Sequence, residues 1–338
     1  MGKIPFSYLL RRLTITFLTI WFAATLIFII PRLAPGDPIS AMVGDMQNAG
    51  SDTENSEAII QGWRERFGLD EALPVQYIRY LGNLATFDFG YSINAFPTPV
   101  MAIILRALPW TLGLLVVAMV LTFLIGNFLG AIMVWSRTPR LIKAIIPLGM
   151  VFTSIPSILA ALLLLYIFAF VLGWFPDSDA YAVGEMTPGL NLEFIGSVIY
   201  HGTLPALAII LVSFGYWALG MRGMMITVEG EDYMQLAQAK GLRPFYVLYR
   251  YMIRNAILPQ ITAFAITLGT LVSGQVLVEY VFQYPGMGRV IYENILAQDF
   301  PVIQGAAFFL IMLTALAVLF VDLIYPYIDP RISVGSIE

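Results

Sequence analysis

The sequence is short of charge, has a single histidine and has no cysteine. Only 12% of its 338 residues are Asp, Glu, Lys or Arg, whereas 59% are apolar. Without cysteine the chain can form neither a disulfide nor a thiolate metal site. With His201 as its one histidine it cannot carry an HExxH zinc site, and a Ser-His-Asp triad could draw only on that residue. These shortages argue against a metalloenzyme or a hydrolase.

Six long runs of the sequence contain no charged residue. A membrane-spanning helix needs about 20 apolar residues, and its backbone must pair within itself because lipid offers no hydrogen-bond partners. The sequence therefore predicts an all-α, polytopic membrane protein with six transmembrane helices. The first run is interpreted as a retained helix and not as a cleaved signal peptide, because no small-residue cleavage site follows it. The runs are 13–31, 107–136, 144–176, 194–221, 255–278 and 300–321.

Charges of opposite sign lie in different connecting segments. If the amino terminus is cytoplasmic, the inner segments hold most of the Lys and Arg residues, and the two short outer loops hold only Arg289. The positive-inside rule then predicts that both termini are cytoplasmic. Acidic residues are concentrated in 32–101 and 177–193, so we expect an acidic outer face. The net charge of −4 also argues against a nucleic-acid partner.

These patterns predict three parts along the chain. Residues 1–31 form a cytoplasmic tail and the first crossing, 32–101 a large extracytoplasmic segment, and 102–338 the core with the other five crossings. The outer segment is expected to be a small ordered cap, with a flexible loop at 47–56 and a helix at 57–67.

Within the core, the cytoplasmic segment 228–256 is too long for a tight turn. Its residues 231–241 read EDYMQLAQAKG, which predicts a short helix lying along the membrane surface. Asp232 is the expected N-cap and Gly241 the expected C-terminal stop. Pro244 suits the first turn of a second helix, which we expect to end near Pro259.

One face of the short helix is a candidate surface for another protein. The small side chains of Ala237 and Ala239 are expected to let a partner's backbone approach closely. The alternative is an amphipathic surface loop that has no partner. The helical spacing i, i+3, i+4 and i+7 is shared by Tyr233, Leu236, Ala237 and Lys240.

Ionisable residues are nearly absent from the runs, which argues against a proton relay or an ion-coupled secondary carrier. No inverted repeat is visible either, and such repeats are typical of secondary carriers. Glu279 and Asp322 lie near the ends of runs, where both are expected to reach interfacial water. Some polar residues are candidates to line a pathway, although helix packing explains them equally well. They are Asn127, Thr267, Thr270, Ser273 and Gln275.

The cytoplasmic segment resembles that of a known family. QLAQAKG, followed by Ile257-Leu258-Pro259, resembles the EAA-type motif of the inner-membrane permeases of ABC importers, with Gln235 and Leu236 replacing the Glu and first Ala of the general pattern. The long spacing from glycine to proline is similar to the dipeptide/oligopeptide branch. Further motifs of that branch occur in the same order: LAPGDP at 33–38, QYIRYLGNL at 76–84, DFGYS at 88–92, LPWTL at 108–112, SIPS at 154–157, GTLVSGQVLVEYVFQYPGMG at 269–288 and DLIYPYIDPRI at 322–332.

The resemblance implies a subunit of a larger importer in the inner membrane of a prokaryote. The expected partners are a second homologous permease, two cytoplasmic ATP-binding subunits that carry ATP with Mg²⁺, and an extracytoplasmic solute-binding protein. The chain itself would bind no cofactor or metal and catalyse no reaction. Di- or oligopeptides are the expected substrates, and oligosaccharides or another small solute are the alternative for the same machinery.

The same resemblance assigns roles to two groups of residues. The outer gate or loop would comprise Glu279, Pro285, Gly286 and Gly288. Coupling to the ATPases would involve Asp232, Tyr233, Ala237, Ala239, Lys240, Gly241 and Pro259.

Overall fold

The computed structural model describes residues 6–33, 71–189, 191–270 and 275–328, and these residues are helical with no β-strand among them. In chain order the helices are α1 (Phe6–Leu33), α2 (Leu73–Ala85), α3 (Val100–Val134), α4 (Arg140–Gly149), α5 (Ser157–Leu164), α6 (Leu192–Glu229), α7 (Asp232–Ala239), α8 (Pro244–Val247), α9 (Arg254–Thr270), α10 (Val276–Val281), α11 (Met287–Leu296) and α12 (Phe300–Ile328). A 3₁₀ stretch, Met150–Ser154, extends α4, and π stretches follow α5 (Leu165–Val171) and α8 (Leu248–Ile253).

Four of the predicted runs fall in helices that are long and apolar enough to cross a bilayer, namely α1, α3, α6 and α12. The run at 144–176 is divided between α4 and α5, and the run at 255–278 between α9 and α10. The all-α fold with several membrane-spanning helices is therefore confirmed. The count of six crossings and the cytoplasmic position of both termini stay predictions. The expected loop at 47–56 and helix at 57–67 lie outside the described residues.

Helix α6 is central, because glycines let other helices approach its backbone. A Cβ added at Gly126 of α3 would lie 2.5 Å from the Cβ of Trp217, and one added at Gly130 would lie 2.4 Å from the carbonyl oxygen of Ala218. Since Gly126 and Gly130 are four residues apart, they form the small-residue spacing that brings helix backbones together. The α3–α6 contact is thus close to backbone against backbone.

Two other elements pack on α6 through its own glycines. Thr153, in the 3₁₀ stretch, lies against Gly215, and Gln260 of α9 lies against Gly220. An added Cβ at Gly215 would collide with Thr153, and one at Gly220 would lie about 3 Å from the flexible end of Gln260, so both positions are tightly packed. The elements on either side of α6 therefore meet it at short distances.

Helices α1 and α12 lie at the periphery and pack on each other. Arg12 pairs with the Asp322 carboxylate at 2.7 Å, and the Tyr8 hydroxyl donates to the Asp322 carbonyl at 3.1 Å. At the opposite end of α1, α2 packs through Tyr77 and Tyr80 against the ring of Phe28. Most of the apolar surface of α1 is exposed, as expected of a helix that faces lipid.

Candidate functional site

The short cytoplasmic helix predicted from the sequence is α7. Asp232 is its first helical residue, while Glu231 holds the N-cap position and makes no side-chain capping bond, so the prediction of Asp232 as the cap is wrong by one position. The acidic side chain at the first turn still favours the helix dipole. Gly241 ends the helix with a φ of +66°, and its N–H donates to the carbonyl of Gln238 at 2.9 Å. Its predicted role as the stop is confirmed.

One face of α7 is buried within the chain. Met234 and Ala237 contact methionines of α6 and of the π stretch, and Ala237 is only 2% exposed. This overturns the expectation that Ala237 offers a small surface to another protein. The helical spacing correctly predicts the helix, but it does not indicate which face of that helix packs against the rest of the chain. We call this group the methionine cluster: Met221, Met225, Met234, Ala237 and Met252.

The opposite face of α7 is exposed. Leu236 is 57% exposed, and Ala239 and Lys240 lie beside it on the same surface. Tyr233 is on the edge of this face, near Asn255 at the start of α9. Partial desolvation, helped by the nearby Glu231 carboxylate, raises the pKa of the Tyr233 hydroxyl. The phenol therefore stays neutral at physiological pH.

The chain after α7 is one continuous helical path. Pro244 occupies the first turn of α8, as predicted. The π stretch then leads without interruption into α9, and Pro259 lies inside α9 and not at its end. The prediction of a helix ending near Pro259 is therefore wrong. The physical reason is that proline is tolerated inside membrane helices, so it is a weaker stop signal there than in a soluble helix.

The outer turn between α10 and α11 is built around a buried carboxyl group. Glu279 is 0% exposed, which corrects the expectation that it reaches interfacial water. Its Oε2 accepts a hydrogen bond from the backbone N–H of Gly288 at 2.7 Å. Thr111 of α3 lies beside this carboxyl group, and its hydroxyl accepts from the N–H of Met287 at 2.7 Å. The carboxyl group thereby connects α10, α11 and α3.

The glycines of this turn are required by close approach. A Cβ at Gly286 would lie 2.6 Å from the Thr111 hydroxyl and even closer to the Glu279 carboxyl, and one at Gly288 would lie 2.6 Å from the Cα of Val276. Pro285, just before them, is half-buried. The predicted outer residues Glu279, Gly286 and Gly288 are therefore in mutual contact.

Comparison with known proteins identifies the chain. Residues 126–334 match the family of binding-protein-dependent transport system inner membrane components. The chain belongs to this family. Over 97% of the chain and 99% of the relative, it is 34% identical to a putative peptide permease protein of Brucella suis. It is 32% identical, over the same shares, to the oligopeptide transport system permease protein AppB of Bacillus subtilis. A probable peptide ABC transporter permease of Sinorhizobium fredii is 31% identical over 96% of the chain and 98% of that protein.

Membership of this family establishes what kind of protein the chain is. It is a multi-pass membrane permease of a binding-protein-dependent importer, and its family comprises membrane permeases, not enzymes. Such an importer includes an ATPase and a solute-binding protein. The resemblance found from the motifs is thereby confirmed over nearly the whole length.

The polar residues proposed to line a pathway in this permease have different surroundings. Asn127 is buried in α3, and its side-chain amide donates to the carbonyl of Phe123 at 2.8 Å, which is the arrangement of a packing residue. Gln275 is partly exposed just before α10, and Thr270 is the last residue of α9. Ser273 lies outside the described residues. Their role in a pathway stays a prediction.

Sequence reasoning missed one further outer residue of the permease, Asp299. Its carboxylate is fully buried and accepts hydrogen bonds from the Ser92 hydroxyl, from the N–H of Asn94 at 3.0 Å and from the N–H of Val302 at 3.3 Å. It therefore caps α12 and holds the loop before α3. An aspartate immediately before a long apolar run is a recognisable N-cap signal, so this part could have been predicted.

Proposed function

We propose that this chain forms half of the translocation pore in an ATP-driven importer of di- or oligopeptides in the plasma membrane of a prokaryote. The support for a peptide substrate is that the similar proteins described above are named as peptide or oligopeptide permeases, with similarity along almost the entire chain. The other half of the pore would come from a second homologous permease.

The proposed importer also contains two ATP-binding subunits on the cytoplasmic side and a solute-binding protein on the outer side. ATP with Mg²⁺ binds to the ATPase subunits, and this chain holds neither. The binding protein selects the solute and delivers it to the outer mouth. Transport of oligosaccharides would use the same arrangement, with a different solute-binding protein.

The observation that carries the coupling role is that α7 has two different faces. Its inner face packs in the methionine cluster with residues of α6 and the π stretch, and Tyr233 lies near Asn255 of α9. Its outer face, with Leu236, Ala239 and Lys240, is exposed in the single chain. A helix held firmly on one side and free on the other is suited to receive an ATPase subunit and to pass its displacement to the membrane helices.

The exposed alanine of α7 provides the test. We expect Ala239→Trp to leave the permease folded in the membrane, because Ala239 is exposed among the residues that the structure describes. The bulky ring would hold an ATPase subunit away from α7 and reduce both the ATPases that co-purify and the ATP-dependent uptake of a labelled oligopeptide. The matched control is Ala144→Trp, at an exposed alanine of α4.

Two outcomes would contradict the proposal. Normal co-purification and uptake by Ala239→Trp would mean that this face of α7 does not contact the ATPases. Uptake of a labelled oligosaccharide, with no uptake or competition by peptides in the complete importer, would replace the peptide substrate with the alternative.

A further inference from the structure

The helix in the run at 144–176 is interrupted near residue 155, toward the end of the run that is expected to be cytoplasmic. The 3₁₀ stretch ends at Ser154, Ile155 is extended with φ −88° and ψ 131°, and Pro156 is extended with φ −55° and ψ 140°. Helix α5 then begins at Ser157. Proline explains the break, because its ring disfavours helical geometry in the preceding residue and it has no N–H to donate.

The break leaves polar groups without partners in the described part of the chain. Ile155 donates to the carbonyl of Phe152, and the carbonyl of Pro156 accepts from Leu159 and from the following residue. Within the described residues, no acceptor is found for the N–H groups of Ser157 and the residue after it. The hydroxyl of Ser154 likewise has no described partner, and Ser154 is exposed on the surface of the chain.

The break lies at the depth of the hydrocarbon. Thr153, next to Ser154, packs on Gly215 of α6. Gly215 lies in the apolar run 194–221. It is seven residues before Arg222, which is the first charged residue after that run. At 1.5 Å per residue this places the break about 10 Å inside the membrane from that charge. Lipid cannot pair with free N–H groups at that depth, and irregular backbone is tolerated there only where protein or water covers it.

From this we infer that the exposed side of the helix break at Ser154–Ser157 lines the water-filled translocation pathway. A helix of the second permease is a poorer cover, because its backbone groups are already paired within it and only a side chain could serve. Water, or the backbone amides of a passing peptide, can satisfy all the free groups. The inference rests on the proposed function and deepens it.

The side chains around the break agree with a peptide in transit. Val151, Phe152 and Leu159 are exposed and apolar, and they flank the polar groups in the sequence. A peptide presents regular backbone amides together with side chains of varied polarity. A surface that combines hydrogen-bonding groups with apolar side chains accommodates such a chain without requiring one sequence.

The absence of native cysteine makes the experiment direct. Ser154→Cys is prepared in the complete importer in membrane vesicles and exposed to a small, charged, water-soluble thiol reagent. The control is Leu124→Cys, because this leucine is exposed on the unbroken helix α3. Its neighbour Phe123 contacts Trp217, two residues from Gly215 in α6, so Leu124 lies at a membrane depth similar to that of the break. We expect Ser154→Cys to react about tenfold faster or more, because the thiolate is the reactive form and water favours it over lipid. Modification should also block peptide uptake.

The outcomes distinguish the inference from the function on which it rests. If Ser154→Cys transports peptide but reacts no faster than Leu124→Cys, the break does not line the pathway. A cross-link from Ser154→Cys to the second permease, without labelling, would overturn the inference and assign the break to the interface between the permeases. Failure of the unmodified importer to take up any peptide would contradict the proposed function itself, whatever the labelling shows.

Discussion

The outer turn between α10 and α11 and the cytoplasmic segment around α7 are held in different ways. In the outer turn, the buried Glu279 carboxyl group accepts from the backbone N–H of Gly288, the Thr111 hydroxyl lies beside it, and the glycines pack closely against it. Around α7, the packing is apolar, with four flexible methionine side chains among aliphatic ones, and one face remains exposed. Directional polar contacts fix one geometry, whereas methionine adapts to several. The comparison suggests a rigid outer turn and an adaptable inner segment.

The largest effect is expected from Gly286→Ala, which would break the outer turn. Its added Cβ would overlap the Glu279 carboxyl and come within 2.6 Å of the Thr111 hydroxyl. We expect a loss of about 3 kcal/mol or more from overpacking together with lost hydrogen bonds, measured as a large fall in the thermal midpoint of the purified importer. Gly113→Ala is the control, because a Cβ there meets nothing within 4 Å. An equal effect of both substitutions would contradict the rigid outer turn.

An intermediate effect is expected from Ala237→Leu, which enlarges a buried side chain in the methionine cluster. The methionines can shift around the new branches, so we expect a loss of about 1–2 kcal/mol in the same measurement. Ala239→Leu is the matched control on the exposed face of the same helix and should leave stability unchanged. If Ala237→Leu were as damaging as Gly286→Ala, the two regions would not differ in adaptability.

The smallest effect is expected from Gly241→Ala. A side chain there meets nothing within 4 Å, so only the φ of +66° opposes it. The left-handed conformation costs a residue with a Cβ about 1 kcal/mol. Gly223→Ala, in an open position of α6 with ordinary helical φ, should cost nothing. A strong loss of folded protein for Gly241→Ala would show a contact at this end of α7 that the single chain does not contain.

Much of the fold could be predicted from the sequence, because charge-free runs report directly on helices in lipid. The end of α7 before Gly241 follows from local signals, whereas its start differs from the predicted position by one residue. The inward face of α7 does not follow from such signals, because the partners of Ala237 come from α6 and the π stretch. Burial of Glu279 was missed for a similar reason. Its partner Thr111 is far away in the chain, and a position near the end of an apolar run indicates depth in the membrane but not burial in protein.

The contact between α3 and α6 limits how the permease can move. Gly126 and Gly130 bring the two backbones so near that rotation or sliding of one helix past the other is opposed by close packing. We therefore expect the two helices to move together in a change of state. The bending that opens and closes the membrane domain has to occur outside this pair, and the break at Ile155–Pro156 is one place where the backbone already lacks helical hydrogen bonds.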